Sequence, residues 1–335
     1  MRFRKILERL VSAIPVALGV AVLAFLFLRF LPGDPVEIML GDTQVTQQQI
    51  DSLRNQLHLD RPVLEQLWLF LVAQVQGDLG TSILRGQPVA KLIGDSLPAT
   101  IELTLATIVI ALLIALPVGI ISALRAGSWL DRTVLSGALV GVSMPAFWFG
   151  LLLILLFSVE LQWLPTSGRI ASTLLVPKVT GFMLIDTLLA RDLAAFGTAL
   201  KHLILPALTL GVVFAAVLAR VVRASMIEVL QKEYVTTARS KGLHEYSVIV
   251  KHALRNALIP ALTVTGLQFG ELLGGNMIVE TIYAWPGLGR LVVSSIFARD
   301  YVVVQTAVMF YALTYVAANL VVDILYTYLN PRIEL

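Results

Sequence analysis

Residues 100–124 read TIELTLATIVIALLIALPVGIISAL, a run whose one charged side chain is Glu102. A helix needs about 20 mostly apolar residues to cross the hydrocarbon core of a bilayer. Five further stretches qualify: Leu10–Leu31, Thr133–Val159, Leu203–Ala219, Ala257–Val279 and Tyr301–Leu325. Composition agrees, because 57% of the 335 residues are hydrophobic and only 14% are charged, against about 25% in an ordinary soluble domain. Mean hydropathy is +0.84. A soluble fold of this size has neither the interior to hide that much apolar surface nor the charge to cover it. The expected fold is an all-α polytopic membrane protein with six transmembrane helices.

Six spans leave both ends on one side. Sorted by that scheme, 14 lysines and arginines fall on the side of the termini: four in the N-terminal stretch, two in Arg125–Arg132, seven in Arg220–Arg255, and Arg332. The opposite loops, about twice as long in total, hold ten. The positive-inside rule therefore places both termini in the cytoplasm. The first span reads as an uncleaved anchor, since its apolar run exceeds a signal-peptide core and Pro32-Gly33-Asp34-Pro35 follows in place of a cleavage site.

Three segments are then extracytoplasmic. The largest, Pro32–Pro98, carries eight acidic and four basic residues. Thr46 with Gln49 forms a capping-box pattern ahead of Ile50, Leu53 and Leu57. Asp60 and Pro62 read as the cap and an early position of a helix carrying Leu64, Leu67, Trp68, Leu71 and Val75. Both are expected as short amphipathic helices on the membrane or over the helix mouths. Glu160–His202 is mixed, and Glu280–Asp300 holds the turn Trp285-Pro286-Gly287-Leu288-Gly289. The natural division sets 1–97, the anchor with its outer segment, apart from a five-span core over 98–328 and a tail over 329–335.

Several chemistries are excluded. There is no cysteine, and His58, His202, His244 and His252 stand in no metal-binding spacing. No phosphate-cradling G-x-x-x-x-G-K-[ST] occurs, so any energy from ATP must come from another polypeptide. The net charge of +3 implies no nucleic-acid partner. An enzyme has no residue constellation here on which to act.

Acids inside spans are costly, about 2.5–3.5 kcal/mol each at a helix centre. Glu102 and Asp323 lie near expected helix ends, where interfacial water or a helix dipole accounts for them. Glu271 lies deeper, beside Gln268 and ahead of Gly274-Gly275-Asn276. That polar stripe has two readings: Gln268, Glu271 and Asn276 line a translocation pathway, or Glu271 makes a structural hydrogen bond between helices. Pro117, Pro145, Pro206 and Pro260 are candidate kinks.

The cytoplasmic segment Arg220–Asn256 has 37 residues, seven basic and three acidic. Tyr246, Ile249, Val250, Ala253 and Ala257 recur at helical spacing and predict one apolar face. Upstream, Tyr234, Ala238 and Lys241 precede Gly242, which ends a helix in the left-handed conformation. Helix, glycine and helix in a basic loop is a docking element, with the short residues Thr237, Ala238, Ser240 and Gly242 suited to a partner's groove.

The run from Glu233 to Leu243 (EYVTTARSKGL), followed by His252–Pro260 (HALRNALIP), resembles the cytoplasmic EAA loop of ATP-binding-cassette importer permeases, in particular the dipeptide, oligopeptide and nickel family. Leu31–Pro35, Gly77–Gly80, Ser143–Pro145, Arg223–Met226, Glu280–Gly289, Arg299–Tyr301 and Asn330–Ile333 match in the same order, so the resemblance spans nearly the whole chain. Two departures stand out. Thr236-Thr237-Ala238 replaces the Glu-Ala-Ala triplet, and the closing Leu-Pro is displaced to Ile259-Pro260. The stretch Thr180–Thr187 looks most like the dipeptide branch.

The resemblance implies a type I importer permease fold in the bacterial inner membrane. It implies a heterodimer with a second homologous permease, two ATPase subunits that hold ATP and magnesium, and an extracytoplasmic substrate-binding protein. It casts Thr237, Ala238, Arg239, Ser240, Lys241, Gly242 and Leu243 as the ATPase-coupling loop. Dipeptides or short peptides are the implied cargo, with nickel complexes, glutathione or peptide antibiotics as alternatives. A self-sufficient secondary transporter or channel is the rival from another class.

Overall fold

The computed structural model describes residues 11, 14–26, 47–56, 59–82, 84–274 and 276–329. The Pro32–Pro35 turn, Thr46, Gly275 and the Asn330–Ile333 tail lie outside them. The described residues are mostly helical and contain no strand beyond an isolated bridge between Thr81 and Pro88. In chain order the helices are α1 (Ile14–Leu26), α2 (Gln47–Gln56), α3 (Val63–Val75), α4 (Val89–Leu124), α5 (Trp129–Ser143) and α6 (Ala146–Leu153). Then come α7 (Met183–Leu189), α8 (Leu193–Leu230), α9 (Glu233–Ser240), α10 (Arg255–Leu273), α11 (Met277–Ile282), α12 (Leu288–Phe297) and α13 (Tyr301–Leu329).

Among the described residues, three helices are long and apolar enough to cross a membrane: α4, α8 and α13 over Tyr301–Val321. A fourth crossing is formed if α5 is taken with α6 and its π-helical extension Ile154–Glu160, a pair bent by 101°. Of the six expected spans, α1 is apolar but described over a short length. In α10, Asn256, Gln268 and Glu271 dilute a 19-residue helix. Among the four candidate prolines, Pro145 marks the break, while Pro117, Pro206 and Pro260 lie within continuous helices.

Helix α4 begins at Val89, well before the expected Thr100, and α8 reaches Leu230. At 1.5 Å per residue, α8 is about 57 Å long, so it extends past the bilayer. The two form the most extensive interface in the molecule. Glycine permits this. A Cβ on Gly119 would lie 2.8 Å from the Ala219 carbonyl oxygen, and one on Gly211 2.8 Å from Ile110. Small residues at the seam are the expected device where lipid supplies no hydrophobic drive between helices. Ala111, Ala115, Phe214, Leu218 and Val222 fill one end, joined by Ala253, Ala257 and Ala261. Leu103, Leu205, Leu210, Tyr283 and Trp285 fill the other.

Two local expectations are corrected. In α3 the N-cap is Pro62 rather than Asp60. Leu64, Trp68 and Val75 point away from the chain while Gln66 is buried. Its amide donates to the Arg61 carbonyl, which helps a polar side chain turn inward. The face predicted from Tyr246, Ile249, Val250, Ala253 and Ala257 also splits. Residues Val248–Leu254 are π-helical, and i→i+5 pairing rotates side chains away from the 3.6 register. Val248, Ala253 and Ala257 are buried, whereas Tyr246 is 70% exposed.

Candidate functional site

The polar features collect at the two ends of the α4–α8 pair. At one end, α11 closes with the Ala284 N–H donating to the Thr281 carbonyl at 3.1 Å and the Trp285 N–H donating to the Glu280 carbonyl at 2.7 Å. This is the Schellman arrangement, and its left-handed residue is Ala284, at φ +47°. Trp285 is fully buried, and its indole N–H donates to the Ala99 carbonyl at 2.8 Å. Gly287 then opens α12.

Glu280 sits behind this turn with no exposed surface. The Thr100 hydroxyl donates to Oε1 at 2.9 Å, and the Arg290 N–H donates to Oε2 at 3.0 Å. The Leu288 N–H donates back to Thr100 Oγ1 at 2.8 Å. A carboxyl at the start of α12 thus satisfies orphan helix donors and ties that helix to α4. A Cβ on Gly287 would stand 2.5 Å from the Glu280 carboxyl, so no other residue fits there without rearrangement. Burial pushes the Glu280 carboxyl up to about 7, against the opposing pull of hydrogen bonds from Arg290, Thr100 and Gly289.

Beside Trp285, Arg169 pairs with Glu102, both side chains nearly buried, and its guanidinium lies 5.5 Å from the Trp285 ring centroid. The Leu184 N–H also donates to Glu102 at 2.8 Å. Glu102 is therefore an interior ion-pair residue of α4 rather than an acid at a helix end, because α4 starts earlier than expected. Asp186, within the Thr180–Thr187 stretch, accepts from the N–H groups of Thr180 and Gly181. Burial works to raise its carboxyl, but the Thr180 hydroxyl, which also donates to it, and those N–H bonds outweigh burial and hold it low. Its role here is to brace a loop.

At the opposite end, Asp131 at the start of α5 takes both the Nε and Nη2 of Arg223, at 2.5 and 2.7 Å. Ser122 of α4 and the Gly127 N–H also donate to it. This bidentate clamp joins α4, α5 and α8 just before the chain enters α9. Sequence reasoning placed Arg223 in the basic loop and in the Arg223–Met226 match, and passed over Asp131. An acid within the basic stretch Arg125–Arg132 was the available signal.

The expected coupling loop follows α8 after a joint at Gln231–Lys232. Helix α9 ends with the Gly242 N–H donating to the Arg239 carbonyl at 2.9 Å and the Leu243 N–H to the Ala238 carbonyl at 3.4 Å. Gly242 has φ +74°, the left-handed value expected for it. Val235, Ala238 and Val248 form a small separate core with Val229 and Leu230 of α8. Ala238 thus faces its own chain, while Thr237, Arg239, Ser240, Lys241, Gly242 and Leu243 are exposed. Arg239 donates to Glu245 at 2.7 Å, across the turn.

Of the three expected pathway residues, Gln268 donates to Glu271 at 3.1 Å along the same helix. Glu271 is exposed on this chain near the end of α10, and Asn276 precedes α11. The recorded side-chain bond of Glu271 is thus to its own helix, which leaves its outer face open. Trp285, Pro286, Gly287 and Gly289 come together at the turn described above.

A mostly helical chain with several apolar spans, tied by buried polar clamps and carrying an exposed helical hairpin, has the architecture of a polytopic membrane protein. Residues 115–335 match the family described as the binding-protein-dependent transport system inner membrane component. Residues 1–104 match the N-terminal region of such membrane components. The chain belongs to this family. It is 46% identical over 329 residues, 98% of both chains, to the di/tripeptide transport system permease protein DppB of Pseudomonas aeruginosa (strain UCBPP-PA14). It is 42% identical over 332 residues, again 98% of both, to the dipeptide transport system permease protein DppB of Escherichia coli (strain K12). To the glutathione transport system permease protein GsiC of Escherichia coli O6:H1 it is 43% identical over 329 residues, 98% of both chains.

Proposed function

We propose that this chain is the permease subunit of an ATP-driven importer that carries dipeptides or short peptides across the inner membrane. Six spans with both termini in the cytoplasm complete the topology, α1 and α10 supplying the remaining two. In this reading the chain divides into an anchor with its outer segment over 1–97, a permease core over 98–328 and a tail over 329–335. The partners are a second homologous permease, two ATPase subunits holding ATP and magnesium, and an extracytoplasmic binding protein that delivers the cargo. The relatives named for di- and tripeptide transport support the cargo. The relatives named for glutathione support that tripeptide as the alternative.

The observation that carries the reading is the exposed α9–Gly242 hairpin on its own small core, directly continuous with α8. Force applied to α9 by closing ATPases passes through Val229 and Leu230 into α8. From there it passes to α4 across the glycine seam and to α5 through Arg223–Asp131. Coupling requires that the ATPases contact this hairpin differently in two states. Gln268, Glu271 and Asn276 face the pathway between the two permeases in this arrangement.

The test is purification of the tagged chain in mild detergent, followed by ATP hydrolysis with candidate donor proteins loaded with a dipeptide or glutathione. One related permease and two ATPase chains are expected as stoichiometric companions. A chain isolated alone or as a homomer overturns the reading. Ala238→Trp, which overfills the small core, should leave the complex assembled and abolish peptide-driven hydrolysis, and Gly242→Pro should do the same. Glu271→Gln should lower transport without loss of assembly.

A further inference from the structure

A cavity of about 310 Å³ opens beside the α12 turn, lined by Arg85, Ser96, Pro286, Gly287, Arg290 and Ser294. Two guanidinium groups line it, and no ion pair to either is recorded among the described residues. Each is held by one hydrogen bond that fixes its direction. Arg85 Nη2 donates to Ser294 Oγ at 3.0 Å, and Arg290 Nη1 donates to the Ala284 carbonyl at 2.7 Å. A guanidinium has five donors in a rigid fork, so each keeps donors unspent after its anchoring bond. Nearby acids are already engaged: Asp95, next to Ser96, pairs with Lys178, and Glu280 lies behind Gly287, bonded to Thr100 and Arg290.

Two pre-oriented forks facing one opening match the geometry of a carboxylate. We infer that this pocket is a docking site for a carboxylate side chain of the extracytoplasmic donor protein. The inference rests on the proposed function, which places this face toward that donor. The pocket opens at the surface, which suits a side chain presented by a docked protein. Both arginines are exposed at its rim, where charge sets the encounter and orientation of a partner more than its residence.

The experiment uses the full assembly in proteoliposomes, with ATP hydrolysis followed against the concentration of donor protein loaded with Ala-Ala. Arg85→Gln combined with Arg290→Gln should raise the half-saturating donor concentration about tenfold and weaken its salt dependence, with the maximal rate unchanged. Ser96→Asp, which offers the pocket a carboxylate of its own, should produce the same shift with both arginines intact. Free Ala-Ala and its C-terminal amide, titrated without donor, should bind the wild type and the variants alike. Unchanged half-saturation in both variants overturns the proposal. So does loss of free Ala-Ala binding with an unchanged donor response, which assigns the pocket to the peptide itself. A wild-type assembly that no loaded donor stimulates overturns the importer reading together with this one.

Discussion

The chain makes one backbone turn twice and puts it to opposite uses. After α11 and after α9 a Schellman turn closes the helix with the same pair of hydrogen bonds. At the α11 end the left-handed residue is Ala284, which costs about 1–2 kcal/mol over a relaxed conformation. The residue after it, Trp285, is fully buried, with the Thr100–Glu280 hydrogen bond beside it and the Arg169 guanidinium over its ring. At the α9 end the left-handed residue is Gly242, with no atom near where a Cβ would stand. The residue after it, Leu243, is 41% exposed. Identical local geometry therefore says nothing about rigidity. Tertiary surroundings bury one turn and leave the other exposed.

The contrast breaks most directly at the residue after each left-handed position. Trp285→Ala should destabilise the detergent-solubilised protein by about 3–5 kcal/mol, through the cavity and the lost indole bond to the Ala99 carbonyl. Leu243→Ala should cost less than about 1 kcal/mol, because much of that side chain is already in water. Equal losses of thermal stability would erase the distinction.

Gly287→Ala tests the buried turn from the other side. Its methyl group would meet the Glu280 carboxyl, and a shift of α12 costing about 1–3 kcal/mol is expected from overpacking. An unchanged melting temperature would show that α12 is not pinned there.

Glu280 sharpens the contrast through pH. Its carboxyl is raised from the ordinary 4.5 to about 7 in the folded chain. The unfolded chain therefore releases this proton at lower pH than the folded one. The associated stability is fully present below pH 4.5 and is lost as pH rises through about 7. Melting temperature should fall across that window, and Glu280→Gln should flatten the profile. A profile identical in the variant would mean that another group sets it.

The smallest effects concern the left-handed positions themselves. Gly242→Ala should cost about 1 kcal/mol, strain being partly offset by the stiffer unfolded chain. Ala284→Gly trades the same two effects in reverse and should stay within about 1 kcal/mol of neutral. A large loss at either would mean that a contact of the replaced side chain, not backbone strain, governs the turn.

Much of this was open to reading before any coordinates. The apolar run 100–124, the basic loops and the Gly242 turn follow from composition and chain chemistry, which act over a few residues. Glu280 and Gly287 were visible as members of one motif, but their contact across seven positions was not. The misread face at Tyr246–Val250 has the same origin, since a sequence period assumes 3.6 residues per turn and π-helical pairing abandons it. Hydrophobic content and left-handed glycine are local properties, so the sequence alone decided that this is a helical membrane chain with a glycine-closed helical turn after α9. Which acids pair with which arginines, and which turn is buried, depend on partners such as Thr100 for Glu280 and Arg223 for Asp131. Those partners lie 180 and 92 positions away along the chain. Only the packing of the α11–α12 turn on α4, and of α5 on α8, brings them within hydrogen-bond reach.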